Sequence, residues 1–133
     1  MQTDEFLGQV QNKAHLATLG EAMRATRATL ETLAERLGPD ETRHLAAQLP
    51  HEIQLFLSDT GLPIPERFSS DEFLLRVCAR EGIDLPLSTN HARAVIEVLT
   101  QAVSPGEVVD VLDRLPNDYR RLFVASDGSV PAQ

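Results

Sequence analysis

The chain has 133 residues, of which 42% are hydrophobic and 24% charged, and these values are typical of a soluble globular protein. Its formal net charge is −8, because 20 acidic residues outnumber 12 basic ones. An acidic surface repels nucleic-acid phosphates and anionic lipid headgroups, so we expect neither nucleic acid nor a membrane among its partners. Cys78 is the single cysteine, which excludes an intrachain disulfide. No segment resembles a signal peptide or a membrane span, and we expect a cytoplasmic location.

Helical spacing of apolar residues runs through the first half of the chain, and the alternating runs that indicate strands do not occur. The first predicted helix begins at Thr3 or Asp4, with Thr3 as its cap. The second ends at Gly38 and has apolar residues spaced four and three apart. Its predicted inward-facing residues are Leu19, Met23, Thr26, Leu30, Leu33 and Leu37. Two short helices follow, opened by Pro39 and Pro50.

The second half repeats this scheme. A fifth helix is followed by a predicted loop over residues 82–87 and by a sixth helix that Ser88 caps. Ser104 and Glu107 form a predicted capping box at the start of a seventh helix. Pro116 opens an eighth.

The two halves of the chain are predicted to be copies of one sequence repeat. The tetrapeptide Asp-Glu-Phe-Leu at residues 4–7 returns at residues 71–74, an offset of 67, and farther along the offset is 66. The matched positions there are Arg27 and Arg93, Glu31 and Glu97, Pro39 and Pro105, Glu41 and Glu107, and Leu49-Pro50 and Leu115-Pro116. We therefore predict an all-α fold. It is an internally duplicated helical bundle of two four-helix repeats, about eight helices, packed with pseudo-twofold symmetry.

The predicted organisation is a single domain over residues 1–133. Repeat 1 covers about 3–58, a proline-rich linker covers 59–68, repeat 2 covers about 69–124, and a flexible tail covers 125–133. A four-helix unit of roughly 55–60 residues is marginally stable alone, so we expect the repeats to share one core. Two independent units joined by the linker are the alternative.

Four motifs carry a resemblance to a known family. They are Asp4-Glu5-Phe6-Leu7-x-x-Val10, Leu45-Ala46-Ala47-Gln48-Leu49-Pro50, Ala94-Val95 through Leu99, and Leu115-Pro116 with Tyr119-Arg120 and Leu122-Phe123. These motifs resemble the bacterial domain-of-unknown-function family 2267, over about residues 3–123. The resemblance implies a small all-α cytoplasmic bacterial protein, and it transfers no catalytic residue.

Glu41 and His44 are the residues whose spacing fits a metal site. In carboxylate-bridged di-iron bundles, a glutamate and a histidine one helical turn apart reach the same metal. Here the corresponding pair in the second copy is Glu107 and Asp110, and the helix is short. A glutamate in a first turn also stabilises the helix start. We therefore predict no catalytic residue, no cofactor and no metal, and keep Glu41 and His44 as the metal candidates to examine.

The remaining chemically reactive side chains are predicted to be structural. The four histidines lie on different elements with no zinc-like spacing, and His91 is expected on the solvent side of the sixth helix. The four are His15, His44, His51 and His91. Cys78 falls on the apolar stripe of the fifth helix, where a free cysteine packs into the core.

The only concentrated basic segment contains Arg114, Arg120 and Arg121. It can recognise an acidic partner or a phosphate. The favoured interpretation is ion pairing with Asp113 and Asp118 at helical spacing.

Two functions remain open from the sequence. The first is a non-enzymatic protein-interaction or scaffold module that binds a protein partner or self-associates, since nothing convergent and catalytic is present. The alternative is a small-molecule or metal-binding protein that uses a pocket between the two repeats.

Overall fold

Helices make up all the regular secondary structure in the two stretches that the computed structural model describes, residues 1–57 and 64–123. The helices are α1 (Thr3–Ala14), α2 (Leu19–Leu37), α3 (Pro39–Ala46), α4 (His51–Gln54), α5 (Ser70–Glu81), α6 (Leu85–Ala102), α7 (Pro105–Asp113) and a 3₁₀ helix (Asn117–Phe123). The predicted all-α fold is confirmed. None of these helices combines enough length and apolar character to cross a membrane.

The four long helices form the centre of the fold. Helix α1 packs against α2 and α6, α2 also packs against α5 and α6, and α5 packs against α6. Each contributes a large, fully buried side chain to one continuous hydrophobic core. These side chains are Phe6, Leu30, Phe73 and Ile96. The helices of the first half therefore bury their apolar faces against those of the second half.

The short helices cover the edges of this centre. Helix α3 contacts α2 and α7, α4 contacts α1, and the 3₁₀ helix contacts α5 and α6. Both α3 and α7 carry a proline in their first turn, where a missing N–H costs no hydrogen bond. The contact between α3 and α7 joins residues of the two halves and positions the candidate site.

The predicted cap of the first helix is wrong. Gln2 occupies the N-cap position of α1, and Thr3 is its first helical residue. The hydroxyl of Thr3 donates instead to the Glu52 carboxylate in α4. The side chain therefore ties two helices together rather than capping one.

The predicted start of the sixth helix is also wrong. Helix α6 begins at Leu85, and the carboxylate of Asp84 accepts from the backbone N–H of Leu87 at 3.0 Å. Pro86 suggests a loop, but proline is tolerated in a first helical turn. Ser88, the predicted cap, is fully buried inside the helix.

The end of the predicted linker packs against α2. The backbone N–H of Glu66 donates to the carbonyl of Glu35 at 3.0 Å, and Phe68 is buried. The remainder of that linker, residues 59–63, lies outside the described residues, as does the predicted tail over 125–133.

Candidate cation site

Three carboxylates meet where α3 contacts α7. Glu41 comes from the first turn of α3, and Glu107 and Asp110 come from α7. One oxygen of each lies within 4.8 Å of the others. Both glutamates belong to a Pro-x-Glu segment that opens a helix, so the same local sequence supplies one carboxylate from each half.

Burial makes this grouping energetically costly. Glu41 is 2% exposed and Glu107 is 6% exposed, whereas Asp110 is exposed to solvent. The Oε2 atoms of both glutamates are buried and have no hydrogen-bond partner among the described residues. Buried ionised carboxylates are unfavourable unless a positive charge or a proton compensates for them.

One cationic side chain offsets part of the charge. The Nε of Arg114 donates to Oε1 of Glu41 at 3.0 Å. The side chain of Arg114 is 55% exposed, so water screens part of its charge. One guanidinium against three carboxylates leaves the site negative.

The site favours a proton on Glu107 when no cation is bound. Burial, the hydrogen bond with the Glu41 side chain and the negative charges of Glu41 and Asp110 together raise the pKa of Glu107 to about 8, although Arg114 acts in the opposite direction. A protonated Glu107 donates to Glu41, which removes both a charge and an unpaired acceptor.

Only one of the two hydrogen bonds of the predicted capping box forms at the start of α7. The carboxylate of Glu107 therefore remains available for the site. The Oγ of Ser104 accepts from the backbone N–H of Glu107 at 3.2 Å, as predicted. The reciprocal bond does not form, because the backbone N–H of Ser104 donates to Oε1 of Gln48 at 2.7 Å. The Gln48 side chain from the first half thus takes the position that the Glu107 carboxylate would fill.

The structure separates the two residues that the sequence grouped as metal candidates. Glu41 lies in the cluster, whereas His44 is exposed on α3 and is not part of it. Glu41 meets Glu107 and Asp110, the pair at the corresponding positions of the second half. The repeat of Pro-x-Glu at an offset of 66 is the sequence signal for this grouping.

The prediction for His91 is wrong. Its side chain is buried, with Nδ1 2.8 Å from Oε2 of Glu81, and the Ser88 hydroxyl donates to Oε1 of the same carboxylate at 2.9 Å. Because α6 begins earlier than predicted, this part of the helix packs on α5. The other three histidines are exposed: His15, His44 and His51.

The predicted ion pairs of the basic segment are wrong. Arg121 pairs with Asp71 and donates to the Ser70 hydroxyl at 2.8 Å, while Arg114 pairs with Glu41. The carboxylate of Asp118 accepts instead from the backbone N–H of Ser70 at 2.9 Å. The predicted partners are Asp113 and Asp118.

Cys78 has intermediate exposure rather than the full burial that the apolar stripe predicts. Its thiol donates to the carbonyl of Ile83 at 3.0 Å. This bond closes the turn between α5 and α6, which is a structural role.

Comparison with known families agrees with the motifs noted in the sequence. A family described as Uncharacterized conserved protein (DUF2267) matches residues 3–122, a range that contains Glu41, Glu107 and Asp110. No curated protein matches the chain. The all-α fold and the matched range together show that the chain belongs to the DUF2267 family.

Proposed function

We propose that the protein is a non-enzymatic binding module whose ligand is a divalent cation held by Glu41, Glu107 and Asp110. The observation that supports this function is the pair of buried Oε2 atoms, one on each glutamate, that have no partner among the described residues when both carboxylates are ionised. They lie in a cluster that needs positive charge. A cation at this point supplies what Arg114 alone does not.

The geometry suits a cation. Two ligand atoms on one ion lie no farther apart than twice the metal–oxygen distance, which is about 4 Å for Mg²⁺ and about 5 Å for Ca²⁺. The oxygens of the cluster fall within 4.8 Å of one another. All three ligands are carboxylates, which favours Mg²⁺, Ca²⁺ or Mn²⁺ over zinc or copper. Asp110 is exposed, so water has access to the remaining coordination positions.

The position of the site gives the cation a role in assembly of the fold. Glu41 belongs to the first half of the chain, whereas Glu107 and Asp110 belong to the second. An ion bound by all three fixes α3 against α7. A ligand that binds only the folded state stabilises it in proportion to the logarithm of its concentration.

The protein-interaction or scaffold role, with self-association, stays a prediction. Large apolar side chains that are exposed lie on several different elements. Among the described residues they are Met1, Leu19, Leu55, Ile64, Leu75, Leu85, Leu87 and Val109. Exposed apolar residues of this kind are common on soluble proteins and do not by themselves mark a docking surface.

The test is calorimetric titration of metal-free protein with Mg²⁺, Ca²⁺ and Mn²⁺ near neutral pH, with amide NMR shifts recorded in parallel. We expect at least one ion to bind at one site and to shift the amides of α3 and α7. Glu107→Gln should weaken that binding by about tenfold or more, because it removes a charged ligand.

The matched control is Asp40→Asn. Asp40 lies in the same first turn of α3 as Glu41, but its side chain is 84% exposed. This variant should leave the affinity within about twofold of the wild type. Absence of binding by all three ions, or equal losses in Asp40→Asn and Glu107→Gln, would rule out the proposed function.

A further inference from the structure

A cleft between α1 and α6 lies apart from the carboxylate cluster. Its volume is about 420 Å³, within the range of small-molecule sites. The polar residues that line it are Asn12, Lys13, His15, Asn90, Arg93 and Glu97. We infer that this cleft binds a small polar molecule through a carboxylate or phosphate group, and that Arg93 is the main contact.

The charge of the cleft is opposite to that of the chain. The protein carries 20 acidic and 12 basic residues, yet the cleft presents two basic side chains, Lys13 and Arg93, against one carboxylate, Glu97. Lys13 is the only lysine in the chain. A local cationic surface with partly apolar walls attracts anions even when the whole protein is negative.

The two halves use the same arginine–glutamate spacing differently. In the first half, Nε of Arg27 lies 3.2 Å from Oε2 of Glu31, one helical turn away. Arg93 and Glu97 occupy the positions 66 residues farther on, with the same spacing.

In the second half, the glutamate carboxylate pairs with a lysine and not with the arginine one turn away. Nζ of Lys13 lies 2.7 Å from Oε2 of Glu97, whose side chain is 9% exposed. Arg93 forms no ion pair with any residue of 1–57 or 64–123, and it is exposed on the wall of the cleft. Its guanidinium therefore retains its donors for a ligand.

The donors present select the chemical class of the ligand. A guanidinium binds carboxylate and phosphate oxygens in pairs, through two parallel hydrogen bonds. The side-chain amides of Asn12 and Asn90 add uncharged donors for further oxygen atoms. His15 ends α1 in the left-handed region at φ 56°, where a glycine would be less strained, and its side chain also lines the cleft.

The test is titration of the full-length protein with inorganic phosphate and, separately, with acetate, followed by amide NMR shifts. We expect saturable shifts at Asn12, Asn90 and Arg93 with at least one anion. Response to phosphate alone assigns the cleft to phosphate-bearing molecules, response to acetate alone assigns it to carboxylate-bearing ones, and response to both supports an anion site that accepts either group. Arg93→Gln should weaken the response by about tenfold or more, since it removes a charged hydrogen-bond donor.

Arg27→Gln is the matched control, because it removes the same charge at the corresponding position of the first half. We expect it to retain the affinity of the wild type within about twofold. Equal losses in the two variants would mean that net charge, and not the cleft, governs the response, and would overturn the inference. Absence of shifts at the cleft, or shifts that never saturate, would overturn it as well.

Discussion

Nε of Arg114 lies 3.0 Å from Oε1 of Glu41, and this bond joins the end of α7 to the first turn of α3. The side chain of Arg114 is 55% exposed and that of Glu41 is 2% exposed, so a partly hydrated cation faces a buried anion. Next to this pair lies the second buried carboxylate, Glu107, with an oxygen that has no partner among the described residues. The net negative charge where α3 contacts α7 determines how the stability of the protein responds to pH and to cations.

Metal-free protein should lose stability as the pH rises from about 5 to about 8. The pKa of Glu107 is raised from 4.5 to about 8 by burial, so the folded state binds this proton more tightly than the unfolded state. Its contribution to stability is therefore full below about pH 4.5 and is lost as the pH rises through about 8. Urea unfolding across this range measures the free energy of unfolding.

The variant Glu107→Gln isolates this contribution. It carries no titrating group at this position, and we expect it to be more stable than wild type by about 1–2 kcal/mol near pH 8. The difference between the two proteins should shrink as the pH falls. Asp113→Asn removes an exposed carboxylate from the same helix and should run parallel to wild type. Parallel curves for Glu107→Gln and wild type would contradict the raised pKa.

Tyr119 should ionise far above the usual pH for a tyrosine. Burial raises its pKa to about 12, and its hydroxyl donates to the carbonyl of Phe68 at 2.7 Å. It is the only tyrosine in the chain, so ultraviolet absorbance during an alkaline titration reports on it alone. In urea the same group should titrate near pH 10. A midpoint near 10 in the folded protein would contradict the buried position.

Tyr119→Phe should destabilise the protein by about 1 kcal/mol. The loss is small because the Phe68 carbonyl keeps a second donor, Nε of Arg36, at 2.9 Å. Urea unfolding below pH 9 or so measures the loss with both proteins un-ionised at this position. A loss above about 3 kcal/mol would mean that the Phe68 carbonyl is left without a donor in the variant.

Gly38→Ala and Gly82→Ala should differ in stability, although both replace glycines with positive φ. Gly38 has φ 85° and ψ 171°, a region that other residues avoid, and an added Cβ would lie 2.9 Å from Cδ of Pro65. Gly82 has φ 72°, and nothing lies within 4 Å of an added Cβ. We expect a loss of about 1–2 kcal/mol at Gly82 and of about 3 kcal/mol or more at Gly38. Equal losses in thermal or urea unfolding would contradict the packing of Pro65 on α2.

The two halves should not fold separately. Helix α1 packs against α6 and α2 packs against α5, so a fragment of residues 1–57 loses half of the partners of its apolar faces. We expect this fragment to show weak helicity and no cooperative thermal transition by circular dichroism, and to gain helicity when the fragment 64–123 is added. Cooperative unfolding of either fragment alone would favour two independent units.

The sequence predicts well those features of the fold that depend on a single helix. Apolar residues spaced four and three apart predict α2, and Gly38 predicts its end, because both signals are local. Leu19 is predicted to face inward, yet it is 48% exposed, since it lies at the first turn where no neighbouring helix covers it. The sequence does not predict the start of α6, because Pro86 is equally typical of a loop and of a first helical turn.

The candidate site depends on contacts between helices, which the spacing of residues along a single helix does not predict. Glu41 is identified by its spacing from His44, but the partner that matters, Glu107, is 66 residues away. Only the packing of α3 on α7 brings the two carboxylates together. The sequence repeat carries the same information indirectly, because it places an identical Pro-x-Glu segment in each half. The internal duplication and its pseudo-twofold symmetry stay predictions.

Proton release on cation binding is the most direct test of the cation site. Calorimetric titrations in two buffers with different ionisation enthalpies, near pH 6.5, count the protons released per ion bound. Because the pKa of Glu107 is about 8, we expect about one proton to leave for each cation, and none in Glu107→Gln if binding persists there. Cation binding without proton release, or no binding at all, would contradict the account.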